Sequence, residues 1–264
     1  MNLNPLGYVD QNYLKTAADL LHPIKLRTYE QMQISAGARL LDVGCGSGAD
    51  TIPLAEKVGA GGRVVGVDND RNMIVRAASA ARGTNAQTQV IHICAEATRL
   101  PLRSNYFQAS RSERLFQHLP SPELVLGEMV RVTQPGGRVV VLDTDHGTWS
   151  VDTSERDIER RITRFKTEYF GHNGYAGRQL YRLFRQADLE DVTCEMISGY
   201  FTDYALVRLL FMLDEVEPAA VKAGVISPDE LGRWRASLSS AAASGSFFCS
   251  ESMVLAAGRK KGGR

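Results

Sequence analysis

The sequence predicts an α/β fold built on a doubly wound, mostly parallel seven-stranded sheet with helical additions. Three observations predict it. Short apolar runs alternate with stretches of helical period through the first half of the chain. Those runs are apolar almost throughout, as strands covered on both faces are. A glycine cluster, Gly44-Cys45-Gly46-Ser47-Gly48, stands between the first run and the first helical stretch.

Taken in order, Arg39–Val43 reads as the first strand, followed by a helix from about Ala49 to Val58 that tolerates Pro53 in its first turn. Arg63–Asp68 reads as a second, buried strand. Asp70 then caps a helix whose Met73, Ile74, Ala77, Ala78 and Ala81 form one stripe, with Gly83 past its end. Val90–Cys94 is a third buried strand, in which His92 is expected as a hydrogen-bonded core residue, and Phe107–Ser112 a fourth. Ser121-Pro122 has the form of a helix start and Pro135-Gly136-Gly137 of its end, before a fifth strand at Val139–Asp143.

The second half is less regular. Ile158, Ile162, Phe165 and Tyr169 share one helical face, with arginines opposite. A helix is expected over Gln179–Ala187, a strand over Val192–Phe201, and one buried helix over Tyr204–Val216. Ser227-Pro228-Asp229-Glu230 is a capping box leading into Leu231, Trp234 and Leu238, and Phe247–Ala256 is the last strand. One domain over 1–264 is expected, divided into an N-terminal helical cover (1–35), a ligand-binding core (36–146), and helical additions (147–177 and 202–243) over a substrate pocket. Tyr8, Tyr13 and His22 are expected in a lid.

Composition narrows the function. The 264 residues are 44% hydrophobic and 23% charged, enough for a large core without disulfides or a structural metal. Lys plus Arg number 31 against 30 Asp plus Glu, a net charge of +1, which lacks the basic field of a dedicated nucleic-acid or membrane-surface binder. No apolar run approaches the roughly 20 residues of a bilayer span, and Met1–Pro5 lacks the form of a signal peptide. Cys45, Cys94, Cys194 and Cys249 form no CxxC pair and read as thiols of a soluble cytoplasmic protein.

Gly44-x-Gly46-x-x-Ala49 also satisfies a relaxed dinucleotide fingerprint. Asp42 argues against that, because a carboxylate before the loop repels a pyrophosphate and suits a cationic ligand. Asp68, at the carboxyl end of the second strand, stands where such folds place a ribose-diol acceptor.

Leu41-Asp42-Val43-Gly44-Cys45-Gly46-Ser47-Gly48 and Gly66-Val67-Asp68 resemble the first two motifs of class I S-adenosylmethionine-dependent methyltransferases. Ala95–Pro101 resembles the family's G-D-A-x-x-L-P stretch, and Phe107–Ser112 its F-D-x-V-x-S strand. Leu126–Val141 resembles L-x-E-x-x-R-V-L-x-P-G-G-x-L-x-x. The likeness is close over roughly 36–145, nearest to the ubiquinone/menaquinone and natural-product branch. It implies a Rossmann-like fold and S-adenosyl-L-methionine as cofactor. By resemblance Asp42, Gly44, Cys45, Gly46 and Gly48 line its methionine and ribose portion, and Asp68 takes the ribose hydroxyls. Asn69 and Met73 flank the adenine, Glu96 and the Ala97 backbone read its edge, and the Arg111 backbone holds the methionine moiety. Glu96 and Gln108 depart from the family, each replacing an Asp.

Methyl transfer from a sulfonium needs alignment more than covalent help, and no metal site is expected. The stretch after the fourth strand, Ser112–His118, has no Asp/Asn-Pro-Pro-aromatic run and no Pro-Cys pair, so nucleic-acid methylation is not expected. A small molecule is the expected partner, with a second copy of the chain as an option. His146 is the expected general base, oriented by Asp143 or Asp145, with His118 as the alternative. Two other functions stay open: the same fold and cofactor used for a non-methylating reaction such as cyclisation, and a dinucleotide-dependent oxidoreductase.

Overall fold

The computed structural model describes residues 23–169 and 172–262. The expected lid residues Tyr8, Tyr13 and His22 lie outside them. Residues 23–31 form helix α1. Then follow β1 (Arg39–Val43), α2 (Thr51–Val58), β2 (Arg63–Asp68), α3 (Arg71–Ala81), β3 (Val90–Cys94), β4 (Phe107–Glu113) and, after a 3-10 turn at Phe116–His118, α4 (Pro122–Val132). The chain continues through β5 (Thr133–Val151), α5 (Arg156–Tyr169), α6 (Ala176–Gln186), β6 (Glu190–Phe201), α7 (Tyr204–Leu210), α8 (Leu213–Lys222), α9 (Pro228–Ala243) and β7 (Cys249–Arg259).

The seven strands form one sheet in the order β3-β2-β1-β4-β5-β7-β6. Pairings from β3 to β5 are parallel. β7 runs against β5, since Gly136 N–H donates to Lys260 and Asp152 N–H to Phe248. It also runs against β6, as the pairs Arg259–Asp191 and Ser252–Ser198 require. The sheet therefore has the predicted doubly wound α/β form, and its order reverses between β1 and β4, where such folds bind ligands.

Two compact units divide the chain. Among described residues, one holds 23–143, 177–195 and 254–262, and the other 144–169, 172–176 and 196–253. In the first, Leu40, Leu41, Val43, Val64, Val67 and Val139–Leu142 are buried strand residues of a continuous core. In the second, Trp149, Ile158, Ile162, Phe165, Phe211, Val216, Trp234 and Leu238 form a separate cluster.

Local chemistry explains most boundaries. Asp70 caps α3 by accepting from Asn72 N–H at 2.7 Å, and the Ser227/Glu230 capping box opens α9. Pro122 starts α4, although Ser121 makes no side-chain cap bond.

Several expectations need correction. β3 is an edge strand, not a buried one, and Ile91 is 52% exposed. Pro135-Gly136-Gly137 does not separate α4 from a short strand. It lies inside β5, where the register jumps from Phe107↔Thr133 to Ala109↔Arg138 and the extra residues bulge. The single helix expected over Tyr204–Val216 is two, broken at Met212, whose φ of 53° no helix accommodates. Tyr169 stands 63% exposed rather than facing the core with Phe165.

Candidate functional site

The glycine loop leaves β1 and turns into α2. Gly46 adopts φ +52° with nothing within 4 Å of where a Cβ would stand, so the loop backbone is open on that side. Gly48 is the opposite case: a Cβ there would meet the Ala77 Cβ at 2.9 Å, so its absence lets α3 pack against the loop. Asp68 ties the loop to the second strand. Its Oδ2 accepts from Gly46 N–H at 2.9 Å and its Oδ1 from Asp70 N–H at 2.9 Å. A carboxylate has about four lone-pair sites, so each oxygen keeps one to accept a hydroxyl. That is the donor–acceptor fit of a ribose diol.

Beyond Asp68, Asn69 and Glu96 are exposed and joined by Asn69 Nδ2 donating to Glu96 Oε1 at 3.5 Å, with Met73 half-buried on the first turn of α3. Ala95 N–H donates to the Asp68 carbonyl at 3.0 Å, which sets the turn carrying Glu96 and Ala97 beside β2. The far end of that turn is held by a clamp that sequence reasoning missed. Arg131 makes a two-pronged pair with Glu128 (2.6 and 2.8 Å) and donates to the Leu100 and Leu102 carbonyls, while Glu128 accepts from Leu100 N–H. The i,i+3 Glu–Arg spacing within the resembling segment was its available signal. Gln108, the other departure, is structural: its Oε1 accepts from Arg39 N–H at 2.9 Å. His92 lies 2.9 Å from Thr51 Oγ1, and burial lowers its pKa.

A buried ionic network lies beneath the loop. Strand register puts Arg111 of β4 beside Asp42 of β1, and their side chains pair at 3.1 Å. Arg111 also approaches Asp50 (3.3 Å) and Glu113 (2.7 Å). Lys25 of α1 reaches Asp50 at 2.8 Å and Glu113 at 3.6 Å, and Tyr29 OH donates to Asp50. Asp50 precedes α2 but makes no side-chain cap bond, because its oxygens serve Lys25, Tyr29 and Arg111.

Three carboxylates thus face two enclosed cations, with Arg114 nearest Glu113 at 3.4 Å. Burial pushes Asp42 up to about 7 against the pull of Arg111. Burial also pushes Asp50 up, but Arg111 and Lys25 outweigh it and hold that carboxyl low. Asp42 is only 2% exposed, so it does not line the open face of the loop, and its charge acts from behind Gly44 and Gly46. Cys45 is also buried, its thiol pushed up by burial and by Asp42 and Asp68. The Arg111 side chain, rather than its backbone alone, belongs to this site. Its signal was a lone arginine inside an otherwise buried strand.

The residues expected to act on the acceptor are divided between the units. His118 is exposed on the 3-10 turn, and Asp143 Oδ2 accepts from Phe116 N–H at 2.7 Å, both in the first unit. His146 belongs to the second, within β5 rather than in a loop after it. Its Nδ1 lies 2.8 Å from Glu251 Oε1 on β7. Asp145 Oδ1 accepts from Gly147 N–H at 3.2 Å. Among described residues, no group of three or more His, Cys, Asp or Glu is placed to hold a metal, and no helix is long and apolar enough to cross a membrane.

A family described as a methyltransferase domain matches residues 41–141. An uncharacterised 37.1 kDa protein of transposon Tn4556 from Streptomyces fradiae is 30% identical over 255 residues, covering 95% of this chain and 70% of its own. A demethylmenaquinone methyltransferase of Lysinibacillus sphaericus is 33% identical over 193 residues, 65% of this chain and 78% of its own. Against several other demethylmenaquinone methyltransferases the chain spans about half of their length, 51% and 50% in two of them. The solved phosphoethanolamine N-methyltransferase 2 of Haemonchus contortus, in complex with S-adenosyl-L-methionine, shares the fold at 19% identity and a TM-score of 0.55, covering 90% of this chain and 52% of its own.

Proposed function

The chain belongs to the class I S-adenosylmethionine-dependent methyltransferases, and from that membership we propose that it transfers a methyl group from S-adenosylmethionine to a small-molecule acceptor. The observation that carries the reading is Asp68. Its two oxygens are each fixed by one backbone N–H and each keep a lone pair toward a ribose diol, beside the open backbone of Gly46. Asn69, Met73, Glu96 and the Ala97 backbone are the proposed adenine contacts, with Asn69 and Glu96 joined at 3.5 Å.

The cofactor supplies an electrophilic methyl carbon on a positively charged sulfur. The buried network supports a cationic ligand rather than a pyrophosphate. With Asp42 ionised, the three carboxylates face Lys25 and Arg111 inside and Arg114 at the edge, so the cluster carries no surplus positive charge to attract a pyrophosphate. Holding nucleophile and methyl carbon in line is worth roughly 7–11 kcal/mol in well-oriented systems, which leaves the protein two tasks: alignment and removal of the acceptor's proton.

Quinol, phenol or polyketide-type acceptors are the proposed class, in quinone or secondary-metabolite biosynthesis in the cytoplasm. The demethylmenaquinone methyltransferase match and the near-neutral charge of the chain support that class over a nucleic acid. His146 is the proposed base and His118 the alternative.

The test is to incubate the protein with S-adenosylmethionine and a panel of phenolic, enolic and quinol acceptors, reading S-adenosylhomocysteine by mass spectrometry. Acceptor-dependent product supports the reading. Micromolar binding of S-adenosylhomocysteine without product from any acceptor favours a non-methylating reaction. Binding of a nicotinamide dinucleotide in its place overturns the assignment.

A further inference from the structure

Three cations stand in the network beneath the glycine loop, and they are not equivalent. The Lys25 and Arg111 side chains are 8% and 1% exposed, and each has two or more carboxylates within 3.6 Å. Arg114 is 24% exposed, with its Nε 3.4 Å from Glu113 Oε1. That Nε is enclosed without a hydrogen-bond partner, and among the described residues the two Nη groups have none either. A guanidinium carries five donors in a planar fork. One ion pair with Glu113 therefore leaves the fork open to an acceptor.

Arg114 is held in a costly place. It follows the carboxyl end of β4 with a φ of 52°, in the left-handed region that residues other than glycine seldom take. The turn is pinned on both sides. Arg114 N–H donates to the Leu142 carbonyl at 2.9 Å, and its own carbonyl accepts from Gln117 Nε2 at 3.2 Å. The next residue, Leu115, lies against the loop, since a Cβ on Gly44 would stand 3.1 Å from the Leu115 Cβ. Arg114 is thus one residue from the side chain that covers the first glycine, at the β1/β4 reversal of the sheet. All of these residues belong to one compact unit.

The ligand proposed for the loop ends in an amino acid, whose carboxylate calls for a cation. Asp42, Asp50 and Glu113 have the wrong sign for it, and Lys25 and Arg111 are enclosed. We propose that Arg114 is a specificity-determining residue of the cofactor site: its fork takes the carboxylate of the methionine portion, with Glu113 holding the guanidinium in place. This rests on the reading of the glycine loop and Asp68 as an S-adenosylmethionine site. The ligand brings an ammonium and a sulfonium with that carboxylate. It stays cationic as a whole, so the charge balance of the network does not oppose it.

The test is calorimetry on full-length protein with two ligands, S-adenosylhomocysteine and its decarboxylated analogue, which keeps the adenosine, the sulfur and the amine. Wild type is expected to bind the carboxylated ligand at least about 10-fold more tightly. Arg114→Gly, which relieves the left-handed backbone and so keeps the turn, is expected to lose that preference. Its affinity for S-adenosylhomocysteine should fall at least about 10-fold, while the decarboxylated ligand binds within about twofold of wild type. Arg114→Lys, a point charge without the fork, is expected to fall between. Equal losses for both ligands in Arg114→Gly would mean that Arg114 only shapes the loop, and overturn the proposal. Unchanged S-adenosylhomocysteine affinity in that variant overturns it too, including where Arg114→Gly raises the KM of an anionic acceptor instead. Binding of neither ligand by wild type overturns the cofactor reading itself, and the proposal with it.

Discussion

Arg111 Nη1 donates to Asp42 Oδ1 across 3.1 Å in an interior where the two side chains are 1% and 3% exposed. Neither charge has water to fall back on, so each depends on the other and on Asp50, Glu113 and Lys25 around them.

Removing one partner of such a pair leaves the rest uncompensated, at a typical cost of about 3–5 kcal/mol. Arg111→Met is therefore expected to lose about that much stability in urea unfolding, and more at pH 8 than at pH 5, because protonating a carboxyl relieves part of the excess negative charge. A loss under about 1 kcal/mol at both pH values would mean that the network is not enclosed.

Asp42 gives the unliganded protein a distinct pH dependence. Burial raises its carboxyl from an ordinary 3.8 to about 7, so between those values the folded state binds a proton that the unfolded chain has released. Stability from this group is fully present below about pH 4 and is lost as pH rises toward 7. Asp50, held low by Arg111 and Lys25 against the effect of burial, acts the other way and loses its contribution in acid. Asp42→Asn is expected to flatten the decline between pH 5 and 7.5. Equal slopes for mutant and wild type in urea titrations would sink the assignment.

Asp68 is expected to govern cofactor affinity. Each charge-assisted bond to a ribose hydroxyl is worth about 1.5–3 kcal/mol, so Asp68→Ala should weaken S-adenosylhomocysteine binding at least 10-fold by calorimetry. The variant also frees Gly46 N–H and Asp70 N–H. Hydrogen exchange at those amides checks whether the loop has loosened. Unchanged affinity would remove Asp68 from the site.

The Glu128–Arg131 clamp should act at a distance from the ligand. Arg131→Ala releases the Leu100 and Leu102 carbonyls, so faster amide exchange over 95–101 is expected, with an affinity loss of about 3- to 10-fold. Exchange confined to α4 would show that the turn holds itself.

Much of the sheet was legible because strand and helix periods differ and glycine and capping residues punctuate them. β1, β2 and the Asp70 cap of α3 stand where the pattern puts them. The bulged start of β5 was illegible because Pro-Gly-Gly has the local chemistry of a stop, and only pairing with β4 and β7 carries a strand through it. Met212 could not be foreseen as a helix break, since a methionine rarely takes φ 53°.

The glycine loop and Asp68 were readable as a ligand site, but the network beneath was not. Lys25 in α1 and Arg111 in β4 look like surface charges until their partners are placed. A trace existed in α1 and the turn after it, where Lys25, Thr28, Tyr29 and Met32 are all buried and share helical spacing, which sets a lysine on the inward face. Glu251 had no trace, because its relation to His146 exists only in the antiparallel pairing of two distant strands.

That same pairing bears on how the chain is made. β7 follows β6 in sequence yet lies between β5 and β6 in the sheet. During synthesis on the ribosome, β5 and β6 emerge as two bare edges with the strand that joins them still unmade. Open edges are templates for pairing with another chain. The nascent protein therefore passes through a stage in which an unfilled gap beside the last strand of the sheet offers two open edges. Slowing translation between Phe201 and Cys249 would lengthen that exposure, and a chaperone that shields strand edges would matter most there.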